Sequence, residues 1–332
     1  MNVLNEQDSV VNGGAVKPAL PFFLFGKFKE VGFGDKLFRG ITGFFAFLIL
    51  VLALLTFLAL WVNSGPCLKA MGWKFLISSE WDPIKEHFGA VPFVYGTLVS
   101  SFLALLIATP LGLGISLFLT ELAPLNLRTP VAFIVDILAA IPSVVYGLWG
   151  MFVLAPIMQA YVNPVMVKLI GGPFFVTTSI GLSFFTAGVI LSIMILPTII
   201  VISREVFEAV PNVYRESAKA LGATDWETIQ LSVLKPSKPG VVGAIMLGLG
   251  RALGETMAVT MVIGNMAQVT PNLLAPGHSM ASVIANEFTE ATGDVYLAAL
   301  SEIGLLLMVI TLVLNIAAHL LVWFTTRNYG RA

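Results

Sequence analysis

Six long stretches of the chain carry almost no charge, and each of them is long enough to cross a lipid bilayer. A membrane core about 30 Å thick requires about 20 mainly apolar residues in one helix. The composition agrees, because 57% of the residues are hydrophobic and only 11% are charged, whereas roughly a quarter are charged in a soluble domain. The sequence therefore predicts an all-α, polytopic membrane protein with six transmembrane helices. The predicted spans are residues 37–62, 93–120, 131–158, 176–202, 240–266 and 296–324.

The distribution of lysine and arginine predicts the orientation of these spans, since cytoplasmic segments carry an excess of both residues. With the N-terminus inside, the cytoplasmic segments contain Lys17, Lys27, Lys29, Lys36, Arg39, Arg128, Arg204, Arg215, Lys219, Lys235, Lys238, Arg327 and Arg331. The outer segments contain only Lys69, Lys74, Lys85 and Lys168. We therefore expect both termini in the cytoplasm.

The spans divide the chain into segments. These are a cytoplasmic N-terminal tail or interfacial segment (1–36), the first transmembrane helix (37–62), an outer loop (63–92), a core of five spans (93–326) that includes a cytoplasmic loop (203–238), and a cytoplasmic tail (327–332).

The cytoplasmic loop contains a recognisable run of small residues after an acid, Glu216-Ser217-Ala218-Lys219-Ala220-Leu221-Gly222. Small residues allow close helix packing, and a glycine permits a sharp turn of the backbone. The run resembles the Glu-Ala-Ala loop of ABC importer permeases, the coupling helix that docks on a nucleotide-binding subunit. That resemblance implies a MetI-like permease core. It also implies that the ATPase-docking loop consists of Glu216, Ser217, Ala218 and Gly222.

The far end of this loop departs from the family pattern, which usually closes with Leu-Pro. Here Lys235 separates Leu234 from Pro236. The chain also has no Gly-x-x-x-x-Gly-Lys-[Ser/Thr] phosphate loop, which is the usual cradle for ATP. We therefore expect no cofactor on this chain and no catalytic residues. ATP would be bound and hydrolysed by partner subunits.

Other ligand classes are disfavoured by the sequence. Lys+Arg, at 18, nearly equals Asp+Glu, at 19, and no basic stripe indicates nucleic acid. The histidines are scattered without the spacing of metal ligands. The single cysteine, Cys67, excludes internal disulfides, and we interpret it as a bystander in a loop.

The fifth predicted span contains two charged residues, Arg251 and Glu255, followed by Thr256. A charge at mid-membrane costs about 2.5–3.5 kcal/mol on insertion scales and indicates function by default. Residues four apart share a helix face, so one interpretation is a structural ion pair. The other is that Arg251 meets a passing oxyanion with its guanidinium fork, while Glu255 holds Arg251 between transport events. Asp136, in the third span, either faces the pathway or makes a polar helix contact.

The run Gly250-Arg251-Ala252-Leu253-Gly254-Glu255-Thr256-Met257-Ala258-Val259 resembles the signature of PstC-type permeases of bacterial phosphate importers. The resemblance extends over about residues 90–325 and includes the runs at 94–98, 117–124, 139–147 and 285–288. It implies a phosphate pathway through Arg251, Glu255 and Thr256 in the bacterial inner membrane. It also implies three types of partner subunit: a second permease (PstA type), two ATP-binding subunits (PstB type), and a periplasmic phosphate-binding protein (PstS type).

Two alternatives remain open. An arginine alone does not separate phosphate from another oxyanion such as sulfate or molybdate. The other alternative is of a different class, a secondary anion transporter driven by an ion gradient. Such transporters typically have two repeated halves with broken helices. The sequence shows no internal repeat, and this class leaves the docking loop unexplained.

Overall fold

The computed structural model describes residues 33–176 and 181–329, and the regular structure within these residues is helical. The helices are α1 (Phe33–Asn63), α2 (Gly65–Met71), α3 (Lys74–Ile77), α4 (Val91–Leu117), α5 (Leu125–Ala140), α6 (Ser143–Trp149), α7 (Ala155–Ile157), α8 (Asn163–Leu169), α9 (Phe184–Glu208), α10 (Asn212–Ala220), α11 (Asp225–Thr228), α12 (Lys235–Gly254), α13 (Met257–Val262), α14 (Met280–Glu287) and α15 (Asp294–Tyr329).

Several helices continue through short π-helical segments, three of which join neighbouring helices into longer rods, while the first only lengthens α4. These segments are Phe118–Leu122, Gly150–Leu154, Met158–Val162 and Ile229–Leu234. The predicted N-terminal segment 1–36 lies outside the described residues except for 33–36, where α1 begins. Residues 177–180 of the fourth predicted span and 330–332 of the predicted tail also lie outside them.

The chain divides into two units, one ending at Ala53 and one starting at Leu54. The first unit, as far as it is described, is the greater part of the apolar helix α1. The second unit contains the end of α1 and all the other helices named above.

Within the described residues, five helices are long and apolar enough to cross a membrane. They are Gly34–Asn63, Val91–Leu122, Ser143–Leu169, Phe184–Glu208 and Asp294–Leu320. The membrane fold and its all-helical class are confirmed, whereas the predicted number of six spans is not.

The prediction of one continuous span over residues 131–158 is wrong, because the helix is interrupted within it. Helix α5 ends at Ala140, and Ile141 and Pro142 are both extended (ψ 127° and 141°) before α6 begins. A proline has no N–H to continue a helix, and it drives the residue before it out of the helical region. The apolar run is therefore divided between α5 and the rod Ser143–Leu169.

The fifth predicted span, 240–266, is also divided. Helix α12 ends at Gly254, Glu255 is extended (ψ 123°), and the short helix α13 follows. Glycine and the β-branched Thr256 both have weak helix propensity. This break lies between the two charges on which the functional prediction depends.

The principal core is organised around α9, which packs mainly against α4 and α12. Its buried face is apolar and includes Ile190, Ile195 and Ile199. Gly248 of α12 faces Ile199, where a Cβ atom would stand 3.1 Å from Ile199 Cγ1. A glycine at this position brings the two helices together at close range.

A second core joins α2, α3 and α14 to the beginnings of α4 and α15. Cys67 is fully buried there, and its side chain is hydrogen-bonded to Glu302 of α15. The interpretation of Cys67 as a loop bystander is therefore wrong. Burial raises the pKa of the Cys67 thiol, so that the thiol is protonated and unreactive.

Candidate functional site

Arg251 lies in the last turn of α12, and its side chain is half-buried. Its Nη1 donates a hydrogen bond to Thr198 Oγ1 of α9 at 3.3 Å. It also interacts electrostatically with the phenol of Tyr146 on α6. A cation at a helix C-terminus is favoured by the partial negative charge of the last carbonyls. Three helices thus converge on this guanidinium.

Tyr146 occupies this place because of the break at Pro142. Its hydroxyl donates to the carbonyl oxygen of Leu138 at 2.8 Å, one of the carbonyls left without an intrahelical partner at the end of α5. The adjacent Gly147 lies against α13, where a Cβ atom would stand 3.1 Å from Ala258 Cα. The sequence reasoning missed Tyr146 and Thr198, although Tyr146 lies inside the family-like run 139–147.

Glu255 does not share a helix face with Arg251, so the predicted pairing geometry is wrong. The helix ends between the two residues, and none of the ion pairs within residues 33–176 and 181–329 includes Arg251. Glu255 Oε1 instead accepts from the N–H of Ala258 at 3.4 Å, in the first turn of α13, where a carboxylate is favoured. The break therefore places one charge on each of two helix ends.

Thr256 and Asp136 lie in different surroundings. Thr256 is half-buried at the break, and its hydroxyl donates to the Gly254 carbonyl at 3.3 Å. Asp136 lies on α5 with an exposed side chain. Arg251, Glu255 and Thr256 thus lie at or next to the break after α12, each with a different partner, whereas Asp136 lies on a separate helix.

The glycines of α12 differ in their surroundings. A Cβ atom at Gly243, Gly250 or Gly254 would meet nothing within 4 Å, in contrast to Gly248. This side of the helix is open in the isolated chain, so the glycines leave room along it for something that is not part of the chain.

The predicted docking loop forms α10, α11 and the π-helical segment that follows. Glu216 and Ser217 are exposed on α10, Ala218 is half-buried, and no residue of α10 is buried. Large apolar side chains are also exposed along this loop; they are Val213, Leu221, Trp226 and Leu231. Exposed apolar side chains grouped in this way are typical of a protein interaction site.

Gly222 ends α10 in a left-handed conformation, with φ of +87°. The Gly222 N–H donates to the Lys219 carbonyl at 3.0 Å, and the Ala223 N–H donates to the Ala218 carbonyl at 3.1 Å. These two bonds form a Schellman motif, which satisfies carbonyls at the end of a helix and favours glycine at this position. The predicted sharp turn at Gly222 is confirmed.

A capping box begins α11 immediately after this turn. Glu227 accepts from the Thr224 N–H at 2.8 Å, and Thr224 Oγ1 accepts from the Glu227 N–H at 3.3 Å. Hydrogen bonds from Thr224 hold the pKa of Glu227 below its usual value. The turn between α10 and α11 is therefore defined on both sides by local hydrogen bonds.

An ion pair that the sequence reasoning missed fastens this loop to the transmembrane helices. Arg215 Nη2 lies 2.7 Å from Glu121 Oε1, with side chains only 17% and 11% exposed. Arg215 was interpreted only as an orientation charge, and Glu121 only as part of the family-like run 117–124. The two are 94 residues apart, and no periodicity of the sequence connects them.

A polar cluster joins α14 to the loop that precedes α4. Glu287 Oε2 accepts from Trp81 Nε1 at 2.9 Å and from the Tyr296 hydroxyl at 2.6 Å. His278 Nε2 lies 4.0 Å from Glu287 Oε1, and His278 Nδ1 lies 2.6 Å from Ser282 Oγ. Burial lowers the pKa of His278 from 6.5 to about 4, so the imidazole is neutral near pH 7 and its approach to Glu287 is not a salt bridge. Glu287 is therefore a structural residue of this cluster.

Comparison with known proteins defines the class. Residues 112–323 match the family model of the binding-protein-dependent transport system inner membrane component. The fold agrees: a solved bacterial ABC transporter involved in the import of the acidic polysaccharide alginate has a chain with a TM-score of 0.56 at 16% identity, with 87% of this chain and 98% of that chain covered. The chain therefore belongs to the family of binding-protein-dependent transport system inner membrane components. It is a multi-pass transport component of a system with further subunits, and it is not an enzyme.

Within that family, the chain is similar to proteins named phosphate transport system permease protein PstC. The Mesorhizobium japonicum protein is 45% identical over 300 residues, which cover 89% of this chain and 92% of the relative. The Haemophilus influenzae protein is 43% identical over 302 residues, which cover 90% and 96%. A Methanocaldococcus jannaschii protein, named as a probable PstC, is 35% identical over 286 residues, which cover 84% and 90%.

Proposed function

We propose that the chain is the permease subunit of an ATP-driven phosphate importer in the bacterial inner membrane, with both termini in the cytoplasm. It forms the translocation pathway together with a second permease of the PstA type. Two ATP-binding subunits of the PstB type supply the energy, and a periplasmic binding protein of the PstS type delivers phosphate. The names and high identity of the relatives support the choice of phosphate as the cargo.

The observation that carries this proposal is that Arg251 has a hydroxyl as its hydrogen-bond partner and no carboxylate partner within residues 33–176 and 181–329. Its hydrogen bond goes to a neutral hydroxyl, Thr198, and its positive charge meets no carboxylate among the described residues. A guanidinium fork matches the oxygens of phosphate and stays charged at working pH. An anion displaces a hydroxyl partner more easily than a carboxylate, so Arg251 is ready to bind it.

The break at Glu255 supports weak rather than tight binding. Non-helical backbone at membrane depth is tolerated where it is buried in protein or lines a water-filled cavity. Glu255, held at the start of α13, adds a negative charge near the same path and repels an anion that stays. A conducting site must release its ion as readily as it binds it. Thr256 adds a hydroxyl at the break.

The second permease would cover the open surfaces of this chain. The glycine side of α12 is open at Gly243, Gly250 and Gly254, and close backbone approach between membrane helices favours such small residues. We assign Asp136 to a polar contact with that subunit, because its side chain is exposed beside the apolar residues Phe133 and Ile137. An ATP-binding subunit would dock on Glu216, Ser217, Ala218 and the turn at Gly222.

The test is phosphate uptake by the complete complex in proteoliposomes that contain ATP. We expect uptake to require ATP and the binding protein, to be independent of any ion gradient, and to resist competition by sulfate and molybdate. Uptake driven by a gradient without ATP would contradict the proposal, and so would equal transport of either competitor.

Variants at Arg251 test its role in the same assay. Arg251→Gln should abolish uptake while the complex still assembles, and Arg251→Lys should retain part of it, because a lysine keeps the charge without the fork. Arg204→Gln is the matched control, since Arg204 pairs with Glu208 one turn further along its own helix, at 3.4 Å. Uptake near the wild-type rate in Arg251→Gln would remove Arg251 from the mechanism.

A further inference from the structure

The guanidinium of Arg215 fastens the docking helix α10 to two transmembrane helices at once. Its Nε and Nη2 both reach Glu121, at 3.1 Å and 2.7 Å for the nearest oxygens, just beyond α4. Its Nη2 also donates to the Phe207 carbonyl at 2.9 Å, and its Nη1 donates to the Val210 carbonyl at 2.6 Å, both at the end of α9. All three guanidinium nitrogens therefore hold a partner outside α10.

The packing of α10 makes this attachment important. No residue of α10 is buried, and its main contacts are with α11 and the π-helical segment of its own loop. Hydrophobic burial therefore does not fix α10 against the membrane helices. A second side-chain hydrogen bond to α10, from Ser232 Oγ to the Tyr214 carbonyl at 3.0 Å, joins it only to another part of the same loop.

The pair is also well shielded from water. Its side chains are 17% and 11% exposed, whereas those of Arg204 and Glu208 are 28% and 45% exposed and those of Lys219 and Asp225 are 58% and 81% exposed. Exposed pairs contribute little. A shielded and bidentate arginine–carboxylate pair fixes both distance and angle.

We propose that Arg215 and Glu121 are positioning residues that transmit movement of the docked ATPase from α10 to α4 and α9. This inference rests on the proposed function. Glu216, the first residue of the docking run, follows Arg215 directly on α10, and its side chain is exposed. The Arg215 side chain therefore gives a force on α10 a direct path to the ends of α4 and α9, in addition to the short backbone connection between α9 and α10.

The test measures phosphate imported per ATP hydrolysed, in the reconstituted complex. Glu121→Gln keeps the size of the side chain and removes its charge, and Arg215→Gln removes the fork. We expect each variant to assemble and to hydrolyse ATP, with the import ratio lowered about tenfold, the scale of one lost charge-assisted hydrogen bond. Arg204→Gln, on the neighbouring surface of α9, should keep the wild-type ratio.

The double variant distinguishes coupling through the pair from two separate structural effects. If both residues act through one contact, Glu121→Gln combined with Arg215→Gln should be no worse than Arg215→Gln alone. Losses that multiply would contradict the inference, as would a wild-type ratio in Glu121→Gln. Loss of the ATP-binding subunits from purified Glu121→Gln would also contradict it, because the pair would then serve assembly. A wild-type complex without ATP-dependent phosphate uptake would instead contradict the proposed function.

Discussion

The turn at Gly222 gives the sharpest test of the docking loop. A Cβ atom at this position meets nothing within 4 Å, so a larger residue has space. The cost of Gly222→Ala therefore comes from the backbone alone, because φ is +87°. A left-handed conformation costs an L-residue about 1–2 kcal/mol.

This cost sets the size of the expected effect. If only the native turn docks, 1–2 kcal/mol corresponds to a roughly 5- to 30-fold lower population of the competent loop. We expect the affinity of the purified ATP-binding subunit for the membrane complex, measured by titration in nanodiscs, to fall by the same factor in Gly222→Ala.

Gly222→Asn is the matched variant, because asparagine visits the left-handed region more readily than alanine. Its loss of affinity should be smaller than that of alanine, although its side chain is larger. Equal losses in the two variants, or wild-type affinity in Gly222→Ala, would refute the conformational argument. An unchanged helix content by circular dichroism would show that the rest of the chain is intact.

Three further predictions concern the pathway and the core. Thr198→Val removes the hydrogen-bond partner of Arg251, and we expect phosphate uptake in proteoliposomes to fall roughly 3- to 10-fold with ATP hydrolysis retained; unchanged uptake would show that Thr198 does not orient Arg251. Gly96→Ala places a Cβ atom against the His278 carbonyl, and we expect destabilisation by about 1–3 kcal/mol, visible as a lower unfolding temperature. His278 has a pKa lowered from 6.5 to about 4, so between these values the unfolded chain binds a proton that the folded chain does not. Stability should therefore fall as the pH drops from 6.5 to 4, by about 3 kcal/mol in total; thermal unfolding of His278→Gln across this range should lack that slope.

The docking loop shows how far local sequence signals carry. The small residues and the glycine of the run 216–222 predicted a helix with a sharp end, and α10 with its Schellman motif has this form. A helix end is built from residues within one or two turns of each other, so its signal is contained in the local sequence.

The spacing argument at Arg251 and Glu255 shows where such signals fail. It assumed one continuous helix, and the break at Glu255 removes that assumption. Similarly, the hydropathy of residues 131–158 predicted one span, although Pro142 was visible in the sequence. Apolar content reports which residues avoid water, but the backbone path also depends on neighbours that satisfy the freed carbonyls, as Tyr146 does at Leu138.

The sequence by itself predicted a helical protein that spans a membrane. It also predicted a docking loop and a guanidinium within an apolar helix. Each of these follows from the local composition or spacing of residues. Only the tertiary structure decided that Arg251 contacts Thr198 rather than Glu255, and that Arg215 contacts Glu121. These partners are far apart along the chain, and they meet because α9 packs against α4 and α12, a juxtaposition that depends on the shapes of whole helices.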